Sequence, residues 1–137
     1  MLRRELPIGS TGTASMVVEE SDLACALSPA HLDSFPKVFA TARMVALMEM
    51  AAARAMKAVL EEGELTAGVL VNVTHTAATP VGATVTATAR FVGMEGKFYG
   101  FEVSASDDAG EVGKGTHQRA IVQHSRLLEG AARRRRS

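Results

Sequence analysis

The sequence has a single cysteine, Cys25, no excess of charge of either sign and no apolar run long enough to cross a bilayer. One cysteine excludes an intrachain disulfide and a cysteine-rich zinc site, and it fits a reducing, cytoplasmic setting. Arg3, Arg4 and Glu5 near the start are followed by no apolar signal core, so the chain is expected to be soluble. Fifteen basic residues balance fifteen acidic ones, which leaves no global field to draw the protein to nucleic acid or to a membrane. The local exception is the run Arg133, Arg134, Arg135, Arg136. Without interleaved aromatics for base stacking, it reads as a solvated tail that catalysis does not need. Internal repeats, a phosphate-binding glycine loop, a dinucleotide fingerprint and a nucleophile-elbow serine are also absent.

What remains is a chain of 137 residues, 47% of them hydrophobic, which fits one domain over residues 1–137. A core of that size is limited, so oligomerisation is an expected source of further stability. Residues 1–13 and 125–137 read as loose ends. Met16, Val17 and Val18 suit a short first strand, and the stretch from Ser21 to Lys37, with Pro29 and Pro36, reads as a loop. From Thr41 to Glu62 strong helix formers run without Gly or Pro, with Thr41 as the N-terminal boundary and Gly63 as the stop. Apolar residues cover most of that helix, the pattern of a helix buried on more than one side.

After Gly63 the period becomes two. Val69, Val71, Val73 and His75 share one face of a strand running to Thr79, and Pro80-Val81-Gly82 turns the chain. Further strands follow over Ala83–Val92, Phe98–Ser106 and Glu111–Gln123. Asp107-Asp108-Ala109-Gly110 marks a hairpin, and Gly113 and Gly115 allow a bulge or close backbone approach. One long helix followed by hairpin-connected strands predicts an α+β, hotdog-type fold, an antiparallel sheet wrapped around one central helix. Dimerisation would cover an otherwise exposed sheet edge.

Glu49 is the anomaly on the helix. Its neighbours three and four positions away are Val45, Ala46, Ala52 and Ala53, while Arg43 and Arg54 are spaced too badly to face it. Such a carboxylate is paired through tertiary structure, protonated, or open to a cavity. His75 is aligned with apolar residues and reads either as a satisfied core histidine or as the partner of Glu49 in acid–base work. Thr41 reads first as a helix cap. Eight positions from Glu49, it lies about 12 Å away along the axis. A site using both therefore has a substrate between them or is assembled across a dimer. Glu49, His75 and His117 lack zinc-site spacing, which argues against a metal.

Three blocks then carry a resemblance: FPKVFATARMVALMEMAAARAM (residues 35–56), VTHTAATPVGATVTATA (73–89) and GKGTHQRAIV (113–122). In this order and spacing they resemble the fluoroacetyl-CoA thioesterase family, over most of the chain between Met16 and His124. The resemblance implies a homodimeric hotdog enzyme that hydrolyses a short acyl-CoA, with fluoroacetyl-CoA the leading specific candidate. No cofactor is implied beyond the coenzyme A of the substrate. It implies Thr41, Glu49 and His75 as the catalytic set, with the Gly68 amide near the thioester carbonyl. Arg119 is implied as a support of the site; by its own pattern it reads as a solvated strand residue. Phe35 matches an aromatic lid, Leu23 and Leu27 are further lid candidates, and Leu32 stands where a second lid aromatic is expected. Phe35 and the helix methionines are expected to line a narrow apolar pocket. The alternatives are a hotdog enoyl-thioester hydratase and a non-catalytic acyl-CoA-binding domain.

Overall fold

The computed structural model describes residues 5–28 and 33–135. In chain order the elements are β1 (Thr11–Val17), α1 (Thr41–Ala55), β2 (Glu64–His75), β3 (Thr84–Glu95), β4 (Phe98–Asp107), β5 (Gly110–Gln123) and α2 (His124–Arg135). Short 3₁₀ turns occupy Glu20–Asp22, Ala24–Ala26 and Lys57–Val59. The five strands form one antiparallel sheet in the order β1-β3-β4-β5-β2, curled about α1. This is the α+β hotdog architecture expected from the sequence.

Alternation along the strands explains the two faces. Val85, Ala87, Ala89 and Phe91 of β3, with Phe101, Val103 and Ala105 of β4, are buried against Met44, Leu47, Met48, Ala51 and Ala52 of α1. The intervening strand residues, such as Thr86, Thr88, Glu102 and Ser104, are polar. Small residues at the contact let the helix backbone come close. At Gly12 a Cβ would stand 2.1 Å from the Ala51 carbonyl oxygen and 2.7 Å from the Ala55 nitrogen, so β1 can cross the helix there only with glycine. Gly12→Ala is expected to destabilise the fold by about 3 kcal/mol, the upper part of the range for overpacking, because rigid backbone must move. Denaturant unfolding measures this; an unchanged midpoint would mean that the helix does not sit so close to β1.

Several boundaries differ from those read in the sequence. β1 begins at Thr11, Leu6 before it is buried, and Gly9 and Ser10 bond to the backbone of Phe91, so the described part of the lead-in, from residue 5, is seated rather than loose. Thr11, Thr13 and Ser15 occupy outward positions of β1, and their polarity hid the strand. The helix ends at Ala55 instead of Glu62, followed by the 3₁₀ turn Lys57–Val59. In 3₁₀ winding, residues three apart stack, which keeps Met56 and Val59 both on the core. β2 ends at His75 rather than Thr79. Buried Thr79 is held elsewhere, donating to Asp107 Oδ2 (2.7 Å) and accepting from the Phe39 amide through its carbonyl (2.9 Å). At the other end, residues expected to be loose form α2, which buries no residue of its own and carries Arg133, Arg134 and Arg135 in its last turn. There they complement the negative end of the helix dipole.

Candidate active site

Thr41 is not the cap of α1. The cap position is Ala40, and no side chain caps this end. Thr41 is the first helical residue, and its Oγ1 lies 2.8 Å from His75 Nδ1 on the last residue of β2. The ring of buried Phe39 stands edge-on to that imidazole, with centroids 6.5 Å apart at 82°. His75 Nε2 is buried and has no hydrogen-bond partner among the described residues.

Two turns further along α1, Glu49 meets a cation after all. Its Oε2 accepts from Arg119 Nη1 at 2.9 Å, with the glutamate side chain 39% and the arginine side chain 8% exposed. Arg43 and Arg54 point elsewhere, to Asp22 (3.7 Å) and to the Thr13 carbonyl (2.9 Å). Arg119 is not the solvated residue its own pattern suggests. It is buried, and it also donates to Thr66 Oγ1 (2.9 Å) and the Thr66 carbonyl (3.0 Å). A guanidinium bonded on three sides presents one fixed edge to the carboxylate.

A bulge in β2 brings Gly68 to the same place. Gly68 pairs with Arg119 and Leu70 with Gln118, so Val69 is an extra residue opposite nothing in β5. Bulges re-aim side chains beside functional sites. Without this one, strict alternation back from His75 would put Gly68 on the outer face. With it, Gly68 shares the inner face with Arg119, and a Cβ there would stand 2.3 Å from Glu49 Oε2. Glycine is required because the carboxylate occupies the space of a side chain.

His117, two residues before Arg119 and on the same face, completes this cluster. Its Nδ1 is 2.7 Å from the Leu70 carbonyl and its Nε2 is 3.2 Å from Arg119 Nη1. Burial pushes its pKa below the ordinary histidine range; the Leu70 bond opposes that, the Arg119 charge reinforces it, and Glu49 opposes it. Sequence reasoning had weighed His117 only as a metal ligand and had missed Thr66 and Phe39. The i, i+2 spacing of His117 and Arg119 was the available signal. Glu49 and His117 gather around Arg119, whereas His75 sits on Thr41. Among the described residues no three His, Cys, Asp or Glu side chains are grouped to hold a metal ion, and no helix is long and apolar enough to cross a membrane.

Beside Thr41 lies a pocket of about 420 Å³ lined by Ala24, Leu27, Ser28, Phe35, Ala40 and Ala42, among others. Phe35 and Leu27 are partly exposed at its wall. Leu23 is buried in the core, bridged through its backbone to Phe39. Met44, Met48 and Met56 are likewise core residues and do not line this pocket, because they sit on the helix face turned to the sheet. Leu32 lies outside the described residues.

A family model described as fluoroacetyl-CoA-specific thioesterase matches residues 18–125. A fluoroacetyl-CoA thioesterase of Streptantibioticus cattleyicolor is 53% identical over 88 residues, which cover 64% of this chain and 63% of that protein. The chain thus aligns with less than two thirds of that relative's length. The crystal structure of the fluoroacetyl-CoA thioesterase FlK superposes with a TM-score of 0.86 at 41% identity, covering 94% of this chain and 97% of that one. A thioesterase superfamily member from Thermus thermophilus superposes with a TM-score of 0.84 at 28% identity, covering 98% of this chain and 96% of its own. These likenesses define a hotdog-fold domain of the thioesterase type. More narrowly, the chain belongs to the fluoroacetyl-CoA-specific thioesterase family.

Proposed function

We propose that this protein is an acyl-CoA thioesterase that hydrolyses short acyl-CoA substrates, fluoroacetyl-CoA foremost, to the free acid and coenzyme A. We further propose that it works as a homodimer in the cytoplasm, with each site shared between subunits. The observation that carries the reading is the division of acid–base groups into two clusters. Thr41 with His75 lies at one end of the β2 face, and Glu49 with Gly68 and Arg119 at the other. Within one chain they are about two helical turns, or about 12 Å, apart along α1.

β2 is an outer strand of the sheet, with Leu65, Val69, Leu70 and Val71 between 44% and 47% exposed. Antiparallel pairing of two copies of β2 about a two-fold axis at Asn72, with the bulged Val69 left unpaired, would put Gly68 of one opposite His75 of the other. Each site would then hold both clusters, and the apolar edge would be covered.

In such a site the Thr41 hydroxyl fixes the His75 ring through Nδ1. That leaves Nε2 to take or return a proton at the reacting centre. Glu49, aimed by Arg119, attacks the thioester carbonyl or activates water for that attack. The Gly68 amide stabilises the developing oxyanion, and His75 protonates the departing thiolate. For a fluoroacetyl group His75 can alternatively remove the acidified α-proton. The pocket beside Thr41, closed by Phe35 and Leu27, suits a short acyl group. Variants of FlK have been solved with fluoroacetate, with fluoroacetate and CoA, and with acetyl-CoA, which fits the same substrate class.

Free-thiol release across a panel from fluoroacetyl- and acetyl-CoA to decanoyl-CoA tests this. Release should be fastest for the short chains, although one methylene in an apolar pocket discriminates by only about 1–3 kcal/mol. No release from any member would make the chain a binding domain. Loss of enoyl absorbance from crotonyl-CoA without free thiol would make it a hydratase. Faster turnover of the long chains would remove the small pocket.

A further inference from the structure

Arg119 is bonded to Glu49, and the structure shows what holds Arg119. A guanidinium only donates hydrogen bonds. The contact of Arg119 Nη1 with His117 Nε2 at 3.2 Å therefore requires a lone pair on Nε2. The proton of a neutral His117 is then on Nδ1, where it donates to the Leu70 carbonyl at 2.7 Å. Leu70 is the residue at which β2 resumes its pairing after the bulge. His117 Cε1 also lies against Gly68, 3.3 Å from where a Cβ would be. One ring thus touches both sides of the bulge and the arginine.

We propose that His117 is a positioning residue, a neutral Nδ1–H imidazole that locks Arg119 to the β2 bulge and through them sets Glu49 and the Gly68 amide. The proposal rests on the thioesterase reading above for its kinetic consequence, but not for its geometry. The ring is 1% exposed. The charged groups facing it among the described residues are Arg119 from β5 and Glu49 from α1, and Val45, Met48, Val71, Val73 and Val103 line the rest. A proton on Nε2 would set donor against donor at Arg119 and add a second positive charge beside it. The arrangement therefore works only with the imidazole neutral.

Two measurements on the full chain test this. Nitrogen-15 NMR of the His117 ring at pH 7.5 is expected to show a protonated Nδ1 and a bare Nε2. A protonated Nε2 overturns the proposal whether or not the protein proves to be a thioesterase. Second, H117L is expected to lower kcat for a short acyl-CoA by about 10²-fold with KM nearly unchanged, the scale on which small misplacements of catalytic groups act. H117Q, whose amide offers one acceptor and one donor, is expected to recover most of that loss at an equal melting temperature. Wild-type kcat in H117L, or H117Q as slow as H117L when both are folded, overturns the role. Absence of thiol release by the unaltered protein would fail the thioesterase reading alone, and the ring protonation would still decide the geometry.

Discussion

Glu49→Gln is expected to lower kcat for short acyl-CoA substrates by about 10²–10⁴-fold, the range that positioned acid–base groups contribute, with a melting temperature close to that of the unaltered protein. The side chain is 39% exposed and is not part of the apolar core. A glutamine keeps its shape and an oxygen for Arg119 Nη1, while Arg119 retains both bonds to Thr66. What disappears is the negative charge, and with it the capacity to attack a carbonyl or take a proton from water. Thiol release at saturating substrate and thermal unfolding, measured side by side, separate chemistry from stability. Near-normal turnover would leave Glu49 as a structural partner of Arg119 and would remove it from the mechanism.

How the carboxylate reached its partner explains which parts of the site were legible beforehand. The apolar helical neighbours of Glu49 already required a tertiary partner, a proton or a cavity, and a tertiary partner is what the structure supplies. His75 was legible as a histidine on the face turned to the helix. Arg119 was not legible by its own pattern and was named only by the resemblance, because a period of two along β5 assigns a face but cannot tell whether a bulge in the neighbouring strand opens a place there. Gly68 was likewise named only by the resemblance, because one extra residue, Val69, reverses the faces of everything before it in β2. By spacing alone Thr41 reads as a cap, because hydroxyl residues favour helix N-caps in general, whereas the resemblance put it with His75; the structure engages its hydroxyl with that histidine.

The fold was more legible than its edges. Strands β3, β4 and β5 stand within a few residues of their expected limits because Gly96 and Gly110, both at positive φ, accompany tight turns; Gly93, where the turn after β3 was expected to begin, lies instead at a bulge inside β3, which runs on to Glu95. The ends failed for opposite reasons. Thr and Ser on the outward positions of β1 concealed a strand whose inward residues are Gly12, Ala14 and Met16. The arginine run concealed a helix because like charges suggested solvation, although the segment from His124 contains leucine and alanine and starts with the His124 amide bonded to the Gly63 carbonyl at 2.9 Å. Met44 and Met48 were assigned to the acyl pocket by their adaptability. The sheet claims them instead, and the cavity beside Thr41 is lined by Leu27 and Phe35 rather than by methionine.

Mixing two inactive variants is expected to restore activity, and by a calculable amount. If each site takes Thr41 and His75 from one subunit and Glu49, Gly68 and Arg119 from the other, E49Q and H75A carry their lesions in different halves of a site. A mixed dimer of the two then has one site in which both halves are intact and one in which both are damaged. Random pairing in equal amounts makes about half of the dimers mixed, so about a quarter of the wild-type activity should return from two nearly inactive preparations. A site contained within one subunit predicts no recovery, because every site would keep one lesion. Co-expression with two different affinity tags isolates the mixed dimer, native mass spectrometry verifies its composition, and thiol release from acetyl-CoA reads the result. A verified mixed dimer as inactive as its parents would put both clusters to work within one chain, across the substrate, and would reduce the β2 edge to a purely structural contact. A stable monomer by light scattering at micromolar concentration would remove the shared site altogether. Recovery near one quarter in the unfractionated mixture and near one half in the isolated mixed dimer, together with loss of recovery when both lesions are placed in the same chain and mixed with an E49Q partner, would assign His75 and Glu49 to opposite sides of the two-fold axis.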